Sequence, residues 1–170
     1  MIDRTAVHIR HATDDDLLAL EWEGEYTHYR RMYRHAMQDS KRGNRVLLVA
    51  EVEGEVIGQI FIYFRPSWSR HFPNEQAGYL HSFRVKPQFR NQGIGTSLVR
   101  HAESILVQSE YHRSVISVAK DNQEAVRLYQ TLGYSIFTED PGQWSYLDHR
   151  GRIQQVEEPV HLMQKRLALD

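Results

Sequence analysis

The stretch from Val85 to Leu98 constrains this chain more than any other. An apolar, aromatic run from Tyr79 to Val85 has the character of a strand, and Pro87 ends it because proline cannot donate to a ladder. From Ile94 onward the apolar positions change to helical spacing: Ile94, Leu98 and Ala102, with Val99, Ile105 and Leu106 beside them. Between strand and helix lies Arg90-Asn91-Gln92-Gly93-Ile94-Gly95. Two glycines there let the backbone approach a ligand closely, and the free N–H groups of a new helix attract an anion. Strand, glycine turn and helix start together describe a phosphate cradle.

The residues after the glycines narrow the choice of phosphate ligand. A dinucleotide fingerprint needs a third glycine at position 98, where Leu98 stands, and an acidic residue ending the next strand, which reads Ser114 to Val118. A P-loop needs Gly-Lys-Ser/Thr after four spacer residues, and no such string occurs. The remaining pattern, Val-x-Pro-x-x-Arg-x-x-Gly-x-Gly from Val85 to Gly95, resembles the acyl-CoA-binding motif of the GCN5-related N-acetyltransferases (GNAT family). A second segment, Asn122 to Tyr134, is similar to that family's later motif, in which a helix flanks the thiol end of the cofactor. Read from its own residues, Asp121 with Glu124 has capping-box spacing. Ala125, Leu128, Tyr129 and Leu132 make one apolar helix face, and Gly133 closes the helix. The resemblance extends more weakly from Ile9 to Lys165.

Composition bounds the rest. At 170 residues one domain is expected, residues 1–170, and 41% hydrophobic with 25% charged residues is ordinary for a soluble globular chain. A formal net charge of −1 argues against a nucleic-acid binder with a broad basic footprint. Cysteine is absent, which excludes a disulfide framework and a thiol nucleophile. No apolar leader core follows Met1 and no run approaches membrane-spanning length, so a cytoplasmic enzyme with no membrane partner is expected. Ten histidines are scattered without a His-x-x-x-His or His-Glu-x-x-His pair, and no metal is expected.

The pattern along the chain predicts a first strand at Ala6–Ile9 and a helix from Asp14 capped by Thr13, with Leu17, Leu18 and Leu20 on its apolar side. A second helical stretch follows from about Tyr26 to Ser40, ended by Gly43 and Asn44. Arg45–Val52, Glu53-Gly54 and Glu55–Phe64 read as a hairpin. Tyr79–Val85, the helix Ile94–Gln108 and Arg113–Val118 form a βαβ unit, hence a parallel pair. Strands around Ser135–Thr138 and Pro159–Lys165 follow, with a hairpin near Trp144–Gly151. Arg65–Pro73 reads as a loop whose Trp68 and Phe72 line an acceptor pocket, cover a dimer contact or fold back onto the core. The sum is an α/β chain with a central mixed sheet and helices on both faces, the GNAT fold.

The resemblance implies a site. The turn residues Arg90, Asn91, Gln92, Gly93, Ile94, Gly95 and Thr96 would hold the pyrophosphate of acetyl-CoA, Arg90 adding charge and Thr96 its hydroxyl. The main chain of Phe83 and Val85 would pair with the pantetheine arm, and Asn122 would touch the cofactor or serve only as a cap. Tyr129 stands where many relatives place the acid that protonates the leaving thiolate, although a helical tyrosine beside Leu128 and Leu132 is also ordinary core. The base is open: His81 occupies the place of a glutamate in some relatives, or it is a hydrogen-bonded sheet residue. Glu21, Glu23 and Glu25 either attract a cationic amine or form a solvated acidic surface.

The expected activity is direct acetyl transfer from acetyl-CoA to a primary amine of a small molecule or a peptide N-terminus. Direct transfer fits the missing cysteine and the lack of a marked serine nucleophile. The alternatives are a non-catalytic acyl-CoA-sensing module and an unrelated nucleotide-phosphate protein using the same turn. Homodimers are common among relatives, and no coiled-coil seam or repeat here argues for one.

Overall fold

The computed structural model describes residue 3, residues 6–64 and residues 76–168. The Arg65–Pro73 loop reading lies outside these residues. In chain order the strands and helices are β1 His8–His11, α1 Arg30–Lys41, β2 Arg45–Val52, β3 Glu55–Tyr63, β4 Ala77–Val85, α2 Ile94–Gln108, β5 Arg113–Ala119, α3 Gln123–Thr131, β6 Ser135–Asp140, β7 Gln143–Leu147, β8 Ile153–Glu157 and β9 Val160–Arg166. Seven strands form one sheet in the order β1-β2-β3-β4-β5-β9-β6, and β7 with β8 makes a separate hairpin. The β4–β5 pair is parallel and the other described pairs are antiparallel.

Both faces of this sheet are covered, which is why β2 is apolar almost throughout rather than alternating. Leu47 and Val49 pack against Tyr33, Ala36 and Met37 of α1, at the i, i+3, i+4 spacing of one helix face. Leu48 and Ala50, one residue out of phase, meet Leu98, Val99 and Ala102 of α2 on the opposite face. Val126 and Tyr129 of α3 join that second core. A fully buried side chain such as Leu98 contributes about 1.5–3 kcal/mol. Glu103 of α2 ties the helix to the sheet, accepting from the Tyr134 hydroxyl at 3.1 Å and pairing with Lys165 at 2.9 Å. Among the described residues no helix is long and apolar enough to cross a membrane.

Two local expectations are corrected. The helix expected from Asp14 is a series of short 3-10 turns, Asp14–Asp16, Ala19–Gly24 and Thr27–Tyr29. The carboxylate of Asp16 does accept the Thr13 N–H at 2.7 Å, but Arg10 also clamps it at 2.8 and 2.9 Å. Left-handed backbone at Trp22 and Glu23 (φ 48° and 54°) then breaks any continuous helix, so α1 begins only at Arg30. At α3 the cap is Asn122 rather than Asp121, because the Asn122 Oδ1 accepts the Ala125 N–H at 3.1 Å.

Strand β4 carries the feature that shapes the site. Its register against β3 pairs His81 with Phe61 and Arg84 with Gln59, so β4 spends one residue more than β3 over this stretch. Ser82 absorbs the excess as a bulge with φ 52°. The bulge reverses the alternation, placing Leu80 and Val85 in the same core although they are five residues apart. It leaves His81 against the ring of Phe61 and turns Arg84 toward Tyr33.

Candidate active site

Parallel pairing of β4 with β5 runs from Ala77–Arg113 to Leu80–Ile116 and stops there. Strand β4 continues to Val85 without it, while β5 keeps its partnership with β9 as far as Ala119 and Val160. The two strands therefore part at their carboxyl ends, where parallel sheets receive ligands. The glycine turn and α2 continue from the same end of β4, and α3 continues from the same end of β5.

The turn is shaped for close approach. Asn91 (φ 61°) and Gly93 (φ 83°) both adopt left-handed backbone, and Gly93 is the N-cap of α2. The first intrahelical bond runs from the Ser97 N–H to the Gly93 carbonyl at 3.0 Å, so the N–H groups of Ile94, Gly95 and Thr96 have no helical acceptor. A Cβ at Gly95 would stand 3.0 Å from the ring of Phe83, so a larger residue here would push that ring aside where α2 meets β4. Arg90 folds back and donates from Nε to the Val85 carbonyl at 2.8 Å, bracing the turn against the strand end. This combination of free donors, a glycine approach and parted strands suits a pyrophosphate with an extended arm.

Tyr129 lies on the inner face of α3, its ring 6.2 Å from that of Phe83 on the parted segment of β4. Burial, with a smaller push from the Tyr79 phenol, raises its hydroxyl above the usual phenol range. Among the described residues this hydroxyl makes no hydrogen bond. A protonated phenol without a partner beside the strand opening is able to donate a proton there.

His81 is differently placed. Its Nε2 accepts from Arg45 Nη1 at 2.7 Å, which puts the ring proton on Nδ1, donated to Ser82 Oγ at 3.1 Å. Burial and the Arg45 charge push its pKa down to about 3. The ring is neutral and its one lone pair is occupied, the arrangement of a hydrogen-bonded sheet residue. Asn122 is exposed at the start of α3, where its side chain caps the helix. Glu21 is buried in a two-pronged pair with Arg30 (both bonds 2.8 Å), and Glu23 pairs with Lys86 at 3.1 Å. Glu21 is therefore engaged within the fold, whereas the Glu23 side chain, 82% exposed, belongs to the solvated surface.

On the face opposite α2 lies a cavity of about 340 Å³. Tyr33 and Phe61 form its floor with His81, while Trp144 and Tyr146 of β7 close it from the hairpin. Tyr29 extends the ring cluster, 5.1 Å from Tyr146 and 6.1 Å from Tyr33. Behind Tyr33, the Arg84 guanidinium donates to its hydroxyl and lies 3.8 Å over the Tyr26 ring. Burial pushes the Tyr33 phenol up to about 12. Sequence reasoning missed this wall, although Trp22, Tyr26, Tyr29 and Tyr33 recur at intervals of three and four, and Trp144 alternates with Tyr146.

Comparison with known proteins agrees with this geometry. Residues 14–134, well over half of the chain, match the model of the acetyltransferase (GNAT) family. The chain belongs to that family. An uncharacterized N-acetyltransferase of Archaeoglobus fulgidus is 30% identical over 83 residues, 49% of this chain and 55% of the relative. The thialysine N-epsilon-acetyltransferase of Sus scrofa is 34% identical over 68 residues, 40% of each chain. The chain thus spans about half the length of the curated relatives it matches. Among solved structures, the PaiA N-acetyltransferase of Thermoplasma acidophilum in complex with coenzyme A superposes with a TM-score of 0.68 at 18% identity, over 94% of this chain and 98% of that one.

Proposed function

We propose that this chain is an acetyl-CoA-dependent N-acetyltransferase that passes the acetyl group directly to a primary amine, as one domain acting in the cytoplasm. The observation that carries the proposal is the parting of β4 from β5 at the strand ends that lead into the glycine turn and α3. When bound, acetyl-CoA supplies an activated acetyl thioester. The N–H groups of Ile94, Gly95 and Thr96 hold its pyrophosphate, with Arg90, Asn91, Gln92 and Gly93 shaping the cradle. The main chain of Phe83 and Val85, on the segment of β4 that has left β5, takes the amides of the pantetheine arm. A backbone N–H of that segment would stabilise charge developing on the acyl oxygen of bound acetyl-CoA. Asn122 marks the far rim of the same opening.

Tyr129 is the proton donor to the departing sulfur, because its hydroxyl stays protonated at any working pH and has no competing partner. His81 orients β4 at the bulge through Arg45 and Ser82 and takes no proton. The acceptor amine enters from the aromatic cavity on the α1 face, a small amine or a peptide N-terminus. The test is thiol release from acetyl-CoA across a panel of amines. Acceptor-dependent release supports transfer, whereas tight coenzyme A binding without release would support the sensing module instead. Light scattering would decide whether the active species is a homodimer.

A further inference from the structure

The aromatic cavity has a charge as well as a shape. Among the described residues no aspartate or glutamate lines it, while Arg31 and Arg45 both do. Arg45 is neutralised by Asp39 at 2.9 Å and held over the Tyr63 ring. Arg31 is different. It is exposed on the second position of α1, with its guanidinium beside Gly151 in the turn joining β7 and β8, and it makes no ion pair among the described residues. Arg84, behind Tyr33, also lacks a carboxylate partner among these residues and adds positive charge to the same wall.

We infer that the acceptor is a small amine carrying a carboxylate and an apolar or aromatic body, with Arg31 taking the carboxylate and the rings of Tyr33, Phe61, Trp144 and Tyr146 taking the body. A planar guanidinium presents the fork that a carboxylate fills. A polyamine or an unmodified lysine-rich segment would bring further cations beside Arg31, with no carboxylate among the described lining residues to meet them. The same field has a chemical use. Neighbouring cations and loss of water both disfavour an ammonium, so the amine is held neutral and nucleophilic without a dedicated base. The inference rests on the acetyltransferase reading and names the substrate class for the same site.

Matched acceptors test it: phenylalanine against phenethylamine, tryptophan against tryptamine, with spermidine and a C-terminally amidated peptide as controls. The expected result is a kcat/KM at least tenfold higher for the carboxylate-bearing member of each pair. Arg31→Gln is expected to bring that ratio toward one, mainly by raising KM. A ratio of one or below in the native protein overturns the inference, as does faster release with spermidine or with the amidated peptide. A ratio unchanged by Arg31→Gln removes Arg31 from carboxylate binding. Release with other amines but with none of these overturns the inference alone, whereas no release with any amine, while coenzyme A still binds, fails the acetyltransferase reading and the inference with it.

Discussion

Tyr129 and His81 are both ring residues close to the opening between β4 and β5, yet their surroundings give them opposite chemistry. Burial holds the Tyr129 phenol protonated and leaves it a donor, so Tyr129→Phe should keep affinity for acetyl-CoA and lower kcat on the order of a hundredfold. Equal turnover in the phenylalanine variant would remove the residue from the mechanism. For His81 the folded pKa of about 3 lies below the ordinary value of 6.5. Between those values the unfolded chain binds a proton that the folded chain refuses, so stability falls as pH drops below about 6.5, by up to about 1.4 kcal/mol per unit. Above that pH the term vanishes. The His81 ring signals in an NMR titration should therefore stay flat from pH 8 to pH 5, and a midpoint near 6.5 would contradict the Arg45 hydrogen bond.

At the level of elements, what was legible in the sequence was whatever local chemistry decides. Helix α2 runs over the predicted Ile94–Gln108, because the apolar spacing and the glycine turn act within the segment itself. The β2–β3 hairpin follows from Glu53-Gly54, both with positive φ. The segment before α1 was not legible: Arg10 of β1 also clamps the Asp16 carboxylate, and buried Trp22 sits in left-handed backbone that its own sequence does not announce. The bulge at Ser82 was equally hidden, since it is a property of pairing with β3 and not of β4 alone. That is why the glycine turn and the helix that carries Tyr129 were legible in the sequence while the aromatic cavity was missed: its walls come from α1, β2, β3, β4 and β7, which no local pattern joins. The β7–β8 hairpin, which supplies one of those walls through β7, depends on Gly142. A Cβ there would lie 1.7 Å from the Glu158 carbonyl oxygen, in backbone at φ 66°. The left-handed backbone alone makes Gly142→Ala cost about 1–2 kcal/mol. The melting temperature should fall by at least about 2–4 °C. A variant that melts with the native protein would show that this junction relaxes freely.

Across the whole molecule, one sheet separates two tasks. The α2–α3 face carries the glycine turn and Tyr129, and the α1 face carries the aromatic cavity, with β4 running between them. The Ser82 bulge lets this single strand serve both, sending Phe83 and Val85 toward α2 and His81 and Arg84 toward α1. The central claim is that the parted strands and the start of α2 form an acetyl-CoA site. Thermal melting with acetyl-CoA, coenzyme A, ATP and NAD tests it most directly. A ligand at a hundred times its Kd adds about 2.7 kcal/mol to the folded state, enough to raise the midpoint by several degrees. Stabilisation by acetyl-CoA and coenzyme A but not by ATP or NAD is the predicted result. No shift with either thioester or thiol at millimolar concentration, or an equal shift with ATP, would contradict it.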